Sequence, residues 1–303
     1  MRSRGRLGLA AGVTIVLLAA AIGAVAMASG DDEQPIARAT TTTSSTTTAP
    51  TTTLPPLTVD PTRTDVATAA LPMIEVFAAP PAGAKVDPRA AAAGAQLASM
   101  VPQTSPERAN APAIPTVAAP VKGRRATATG WEFDNPTPWG NPLTFIVTED
   151  HGEWLRVHMP IRPNGLQGWI RASDVNRSTI DTHVEVDVSD RVLRAWAGST
   201  LIVETKVVVG KDSTPTPLGR LYLTDVEEKY RGSAYGPWIL PLSGYSQALD
   251  EFSGGVPVIA MHGTNRPELV GSAASNGCIR MPDDVIQRLH DTLFLGTPVD
   301  IRA

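Results

Sequence analysis

A long stretch of threonine, proline and alanine limits how much of this 303-residue chain can fold. Its purest part is TTTTSSTTTAPTTTLPP at residues 40–56, and the bias extends over residues 31–119. Such a composition buries too little apolar surface to offset the conformational entropy that folding removes. We therefore predict that residues 31–119 form a disordered tether and that the folded domains follow it.

The first thirty residues carry the pattern of a membrane segment. Arg2, Arg4 and Arg6 precede an uncharged run, Leu7 to Ala28, that is long enough to span a bilayer. The basic flank predicts that the remainder lies outside the cytoplasm. We expect residues 1–30 to anchor the protein in the cell membrane. Cleavage as a signal peptide is the alternative, because small residues near the end of the run resemble a peptidase site.

Charge and cysteine content exclude two classes of protein. The net charge of −4 argues against a nucleic-acid partner, which would require a basic patch. Cys278 is the only cysteine, so a framework of intramolecular disulfides is excluded. The sequence contains no zinc-ligand spacing, and it implies no metal or organic cofactor.

Residues 120–178 contain short β-rich runs separated by turn signals. The triplets Asp-His-Gly at 150–152 and Pro-Asn-Gly at 163–165 fit hairpin turns between neighbouring strands. Roughly five strands predict a small barrel, and we expect the tryptophans of this region to fill its core. The run WLRVHMPIRPNGLQGWI with a closing ASDV resembles a bacterial SH3-like domain.

Residues 180–303 predict a second domain that is also mostly sheet. The alternating run THVEVDVSDRVLRAWAGSTLIVETKVVVG breaks at two turns, which predicts an antiparallel meander of three strands. PVIAMHG predicts a further buried strand. MPDDVIQRLHDTLFLG predicts a helix that buries Val285, Leu289 and Leu293. The predicted fold class is mainly β, with one main helix after the cysteine.

Cys278 and His262 are the candidate catalytic pair. A cysteine becomes a nucleophile when a neighbouring base takes its proton. His262 ends the predicted strand PVIAMHG, and a single loop separates it from Cys278. Loops that follow a rigid strand often carry functional residues. Two alternatives remain at this point: Cys278 as a small buried hydrophobic residue, and His262 as a structural residue or a ligand.

The residues around Cys278 fit a site for acyl transfer. Gly277 carries no side chain, so we expect the N–H groups of residues 277 and 278 to be free to stabilise a tetrahedral oxyanion. Arg280 can bind a substrate carboxylate or favour the thiolate by its charge. We expect Ser275 and Asn276 to complete a polar rim.

The motifs MHGT and SNGCIRM, with TPTPLG at 214–219 upstream, resemble the YkuD-type L,D-transpeptidases. The resemblance covers nearly all of residues 181–302. The family signature is a His-Gly pair, a loop, then Ser/Thr-His-Gly-Cys with Arg or Asn two positions after the cysteine. Asn276 stands where the family most often has a second histidine. An asparagine amide can still donate a hydrogen bond, so we expect activity to survive.

The resemblance implies a β-sandwich-like L,D-transpeptidase catalytic domain whose partners are peptidoglycan stem peptides. In the implied reaction, His262 takes the proton of Cys278, and the thiolate displaces D-Ala from a stem peptide to form a thioester. An amine of a second stem then attacks, and a cross-link joins two third-position diamino acids. Carbapenems would acylate the same thiol. Gly263 and Tyr235 are further site residues; we expect Tyr235 in a lid or groove wall, with packing as its alternative role.

Two other functions remain open at the level of sequence. With water as the acceptor, the same site would be an L,D-carboxypeptidase. A non-catalytic wall-binding protein would use the predicted barrel to bind glycan or peptide. A sortase is excluded by the short interval between histidine and cysteine, and NlpC-type peptidases by the order of the two residues. For any of these functions we expect an extracytoplasmic protein that faces the cell wall.

Overall fold

A computed structural model describes residues 55–103, 122–230 and 232–303. The predicted membrane segment at residues 1–30 lies outside these ranges. Within the described ranges, no helix combines the length and the apolar character needed to cross a bilayer.

An eight-stranded antiparallel sheet forms the first folded part, which we call the N-terminal β-region. A helix, α1, packs against the strand that is fifth in sequence order, β5 (Thr144–Asp150). Its elements are β1 (Thr64–Ala69), β2 (Met73–Phe77), α1 (Pro88–Met100), β3 (Arg124–Ala126), β4 (Gly130–Asp134), β5 (Thr144–Asp150), β6 (Trp154–His158), β7 (Gln167–Arg171) and β8 (Val175–Ile180). The strand order is β3-β4-β2-β7-β6-β5-β1-β8.

The prediction of a tether is wrong for the part of residues 31–119 that forms β1, β2 and α1. Strand β2 lies between β4 and β7, and Ile74 and Val76 on its inner face are fully buried. Helix α1 begins at the cap Asp87, whose carboxylate accepts the Arg89 N–H. The average composition concealed these elements, because two short alternating strands need only a few apolar residues when neighbouring strands complete their hydrogen bonds.

The two predicted hairpins are confirmed, since β5 pairs with β6 and β6 with β7 across the expected turns. The sheet has more strands than predicted because β1 and β2 insert into it. Trp169 is buried as expected, but Trp139 is 37% exposed in the loop before β5, so the prediction that it fills the core is wrong. The SH3-like resemblance of residues 120–178 stays a prediction.

The second folded part contains three sheets and one α-helix. Its elements are β9 (Thr182–Asp187), β10 (Val192–Ala197), β11 (Thr200–Lys206), β12 (Val209–Gly210), β13 (Gly219–Tyr222), β14 (Glu227–Glu228), β15 (Trp238–Tyr245), β16 (Val258–His262), β17 (Ala273–Ser275), β18 (Ile279–Arg280), α2 (Asp283–Thr292) and β19 (Pro298–Arg302). The sheet orders are β11-β10-β9-β19-β13, β12-β17 and β14-β15-β16-β18. Strands β9 to β11 form the predicted antiparallel meander.

Helix α2 follows the cysteine as predicted, and the chain is mainly β. Its buried residues are Ile286 and Leu289, and Leu293 packs at its C-terminal cap. Val285, which we expected on the buried face, is only partly buried. The helix covers the core that lies between the sheets, and it thereby supports β16, the strand that ends in His262.

Candidate active site

Parallel pairing of β16 and β18 brings the segments that carry His262 and Cys278 side by side. His262 is the partner of Arg280 and Met261 that of Ile279, and Cys278 directly precedes Ile279. Cys278 therefore lies beside the strand that ends in His262, and its sulfur contacts the Val258 carbonyl of that strand. The fold thus places His262 and Cys278 on neighbouring segments of one sheet.

His262 is held as a neutral imidazole. Its side chain is buried, and Nδ1 lies 2.6 Å from the carbonyl oxygen of Gly263. A carbonyl only accepts, so Nδ1 carries the proton and Nε2 keeps a lone pair. Burial lowers the pKa of His262 to about 4, and the charge of Arg280 acts in the same direction. The ring is consequently neutral at pH 7.

The thiol of Cys278 is protonated in the resting site. The residue is partly buried, and its Sγ donates to the Val258 carbonyl at 3.9 Å. Burial raises the pKa of Cys278, while the Ala260 N–H and the charge of Arg280 partly oppose this effect. The two groups at rest are therefore a thiol and a neutral imidazole.

Ser275 has a different role from the one we predicted. It is fully buried, and its Oγ donates to the carbonyl of Cys278 at 2.6 Å. The same Oγ accepts the Gly277 N–H at 3.1 Å. Ser275 therefore stabilises the turn through two buried hydrogen bonds and does not belong to a polar rim. The Gly277 N–H is also not free for an oxyanion, because it already donates to Ser275.

Gly277 is required by the backbone of the nucleophile turn. Its φ of 116° lies in a region that residues with a side chain rarely adopt. A Cβ at this position would also lie 2.9 Å from Cδ1 of Ile259. Gly277 thus allows the backbone conformation of the turn, and that conformation sets the direction of the Cys278 side chain.

Two threonines of the TPTPLG segment support the same turn, a role that the sequence alone did not indicate. Thr216 Oγ1 donates to the Gly277 carbonyl at 2.9 Å and accepts the Gly210 N–H at 2.9 Å. Thr214 Oγ1 donates to the Ser275 carbonyl at 3.2 Å. Both side chains are buried. The only signal in the sequence was that this segment is one of the motifs on which the family resemblance rests.

Arg280 and Asn276 lie at the edge of the site. The backbone of Arg280 pairs in both directions with Val208, which fixes the start of its side chain. Its Nε is buried and has no hydrogen-bond partner within the described part of the chain. Asn276 is partly exposed, with Oδ1 3.5 Å from Thr214 Oγ1. Both side chains keep hydrogen-bonding capacity for a ligand.

The ring of Tyr235 packs against His262, and the two segments that carry these residues approach closely at Gly236 and Gly263. Its ring is 37% exposed and meets the imidazole edge-on, with ring centroids 5.0 Å apart. A Cβ on Gly263 would lie 2.8 Å from the Cα of Gly236. Asp283, at the start of α2, accepts the N–H of residue 264 at 3.1 Å beside the same glycines. Tyr235 thus packs against His262, and its place in a lid or groove wall stays a prediction.

A large cavity lies elsewhere, in the N-terminal β-region. It measures about 800 Å³, and α1, β5 and residues 57–65 contribute to its lining. His158 and Arg220 contribute to its lining, whereas His262 and Cys278 do not. This cavity therefore does not mark the candidate catalytic pair.

Comparison with known proteins identifies relatives of the second folded part. Residues 181–301 match the family described as the YkuD L,D-transpeptidase catalytic domain. The YkuD protein of Bacillus licheniformis is 30% identical over 126 residues, which cover 42% of this chain and 68% of that protein.

Solved structures from Enterococcus faecium are also similar. A crystal structure of its L,D-transpeptidase is 24% identical, with a TM-score of 0.32, and the match covers 40% of this chain and 49% of that one. This chain thus spans about half the length of that enzyme. The NMR structure of its catalytic domain acylated by ertapenem is 27% identical, with a TM-score of 0.31, and the match covers 41% of this chain and 98% of that domain.

Proposed function

This chain belongs to the YkuD family of L,D-transpeptidases, and on that premise we propose that it cross-links peptidoglycan stem peptides through a Cys278 thioester. The observation that carries the proposal is the neutral imidazole of His262 at the end of the strand beside which Cys278 lies. Such a pair can transfer a proton and attack a carbonyl without a metal ligand at either residue.

The first half-reaction acylates the cysteine. The thiol rotates from the Val258 carbonyl toward Nε2 of His262, which takes its proton. Catalytic hydrogen bonds often become short only when substrate is bound, so this rotation fits a site at rest. The thiolate attacks the carbonyl between the third-position diamino acid and D-Ala. The C–N bond breaks, D-Ala leaves with the proton from His262, and a thioester remains.

The second half-reaction transfers the acyl group. The side-chain amine of a diamino acid on a second stem attacks the thioester carbonyl and gives a proton to His262. The C–S bond breaks, the new amide is the cross-link, and the sulfur recovers the proton. His262 therefore acts first as a base and then as an acid in each half-reaction, a role that the lone pair on Nε2 allows.

Substrate recognition falls to Arg280 and to the backbone beside the thiol. A buried N–H donor without a partner is costly, and a substrate carboxylate or carbonyl would satisfy the Nε of Arg280. Because Ser275 already occupies the Gly277 N–H, we assign the oxyanion to the Cys278 N–H. The wall substrate also requires export, so we place the enzyme outside the cytoplasmic membrane, held there by residues 1–30.

Acylation by a carbapenem tests the nucleophile. Full-length protein should gain the mass of one carbapenem at Cys278, because the strained lactam acylates a thiolate as the stem carbonyl would. Intact-protein and peptide mass spectrometry would measure the adduct. Cys278→Ser should show none, since its hydroxyl is a weaker nucleophile without a strong base. Folded, reduced wild-type protein that stays unmodified would contradict the proposal.

Products from a tetrapeptide donor separate the possible acceptors. With an amine acceptor present, the proposed transferase should yield a cross-linked dimer and free D-Ala. Tripeptide alone would instead identify a carboxypeptidase. Binding to wall fragments that is unchanged in Cys278→Ala, with neither product formed by wild type, would indicate a binding protein.

A further inference from the structure

The N-terminal β-region grips Tyr245, the last residue of β15. The side-chain amide of Asn164, in the β6–β7 loop, donates to the Tyr245 carbonyl at 2.9 Å and accepts the Tyr245 N–H at 2.9 Å. One side chain therefore satisfies both backbone groups of a single residue. Such a double contact fixes position as well as direction, because each bond restricts the other.

The side chain of Tyr245 is held by the same region. Its hydroxyl donates to the Pro160 carbonyl at 2.8 Å and accepts from the guanidinium of Arg124. The guanidinium of Arg162 lies over the ring, 5.7 Å from its centroid. Tyr245 is 1% exposed, so these partners replace the water that its polar groups would otherwise bind.

Arg162 extends the contact beyond the end of β15. Its Nη2 donates to the carbonyl of Ser246 at 2.9 Å and to that of Leu249 at 2.7 Å. The Ser246 N–H in turn donates to the Pro257 carbonyl at 2.9 Å. The β6–β7 loop thus also holds the segment that leads from β15 into β16.

A short path leads from Tyr245 to the thiol. Tyr245 is the strand partner of Val258, the first residue of β16. The Val258 carbonyl is the group to which Cys278 Sγ donates, and the N–H of Ala260 on the same strand favours the thiolate. A displacement of this strand end would change both groups that face the sulfur.

We infer that Asn164 and Arg162 are positioning residues for Cys278, acting through Tyr245 and Val258. Neither residue touches the sulfur; they set where the start of β16 lies against it. The N-terminal β-region is therefore part of the catalytic apparatus and not only a spacer or a wall-binding unit. The effect on acyl transfer rests on the proposed function, whereas the effect on thiol reactivity does not.

Asn164→Leu in the full-length protein tests the inference, because leucine has a similar volume and makes neither hydrogen bond. A misplaced nucleophile can lose up to about a hundredfold in rate, so we expect carbapenem acylation to slow by about tenfold or more. Loss of the Ala260 N–H would also raise the thiol pKa. The pH profile of iodoacetamide alkylation should therefore move to higher pH. Circular dichroism and thermal melting would establish that the variant is folded.

Asn176→Leu is the matched control, because Asn176 is an exposed residue of β8. An Asn164→Leu protein with the acylation rate and alkylation profile of the control would overturn the inference. If Asn164→Leu does not fold, the acylation rate and the alkylation pH profile are measured on Arg162→Gln instead. Values equal to those of the control would overturn the inference in the same way. Wild-type protein that is alkylated but never acylated would refute the proposed function, while the alkylation profiles would still decide the positioning role.

Discussion

The distribution of one proton between His262 and Cys278 sets how activity should depend on pH. Burial lowers the pKa of His262 to about 4. Below that pH the ring is protonated and cannot take the thiol proton. We expect the second-order rate of carbapenem acylation to fall on the acid side with a midpoint near 4, the value for His262. Stopped-flow or mass-spectrometric rates across pH would measure it. A midpoint near the ordinary histidine value of about 6.5 would contradict the buried, neutral ring.

Thr216 provides a second test at the level of one side chain. Thr216→Val keeps the shape but removes the Oγ1 that serves the Gly277 carbonyl and the Gly210 N–H. Both backbone groups would lose a buried partner, so we expect the free energy of unfolding to drop by about 2 kcal/mol. Acylation should slow by about tenfold, since the nucleophile turn is misplaced. Urea unfolding and acylation rates would measure the two effects.

The control for this variant is Thr200→Val, at an exposed position at the start of β11. It should leave stability and rate unchanged within error, because its hydroxyl already faces water. Equal values for the two variants would mean that Thr216 does not support the turn.

Strand β2 illustrates stability at the level of an element. Ile74 is fully buried, whereas its neighbour Met73 is 40% exposed on the opposite face. Ile74→Ala should lower the free energy of unfolding by about 2–5 kcal/mol, since it leaves a cavity in the core of the sheet. Met73→Ala should cost far less. Urea denaturation of both variants would measure the difference, and equal midpoints would indicate that residues 73–77 are not part of the folded core.

Local patterns predicted several elements and the motif that contains His262 and Cys278, but not the contacts between distant segments. The meander and α2 could be predicted because alternation and helical spacing are properties of neighbouring residues. The His262 and Cys278 motif is equally local. The support that Thr216 gives to Gly277 joins residues 61 positions apart, and no periodicity encodes it. The tether prediction failed at β2 because a composition average ignores which neighbours a strand can pair with.

The two folded parts of the molecule share a buried carboxyl group. Asp225, between β13 and β14, is fully buried, and its Oδ1 accepts from the hydroxyl of Thr137 in the N-terminal β-region. Its Oδ2 has no partner within the described residues. Burial raises the pKa of Asp225, so the folded state binds this proton more tightly than the unfolded chain does. The contribution of this proton to the free energy of unfolding is lost as the pH rises through the pKa that Asp225 has in the folded state.

Asp225→Asn should therefore raise the free energy of unfolding at pH 7, because a neutral amide replaces a buried charge. The gain should shrink as the pH falls toward the unfolded pKa of about 4, because the wild-type carboxyl becomes protonated in the folded state over that range. Denaturant titrations at pH 4, 5.5 and 7 would measure this trend. Asp190→Asn, at an exposed position, is the control. A gain that does not vary with pH would indicate that Asp225 does not carry this linkage.

The packing around Cys278 also affects the rate at which peroxides oxidise the sulfur. Sulfenic acid forms from the thiolate, so a thiol that remains protonated near neutral pH is oxidised slowly. Burial raises the pKa of Cys278, and the chain has no second cysteine that could rescue an oxidised sulfur as a disulfide. The sulfur is thus sheltered until His262 accepts its proton. The environment that keeps the thiol of Cys278 protonated therefore slows two reactions, attack on a substrate and oxidation by peroxide. Slow oxidation matters because the chain has no second cysteine that could reverse it through a disulfide.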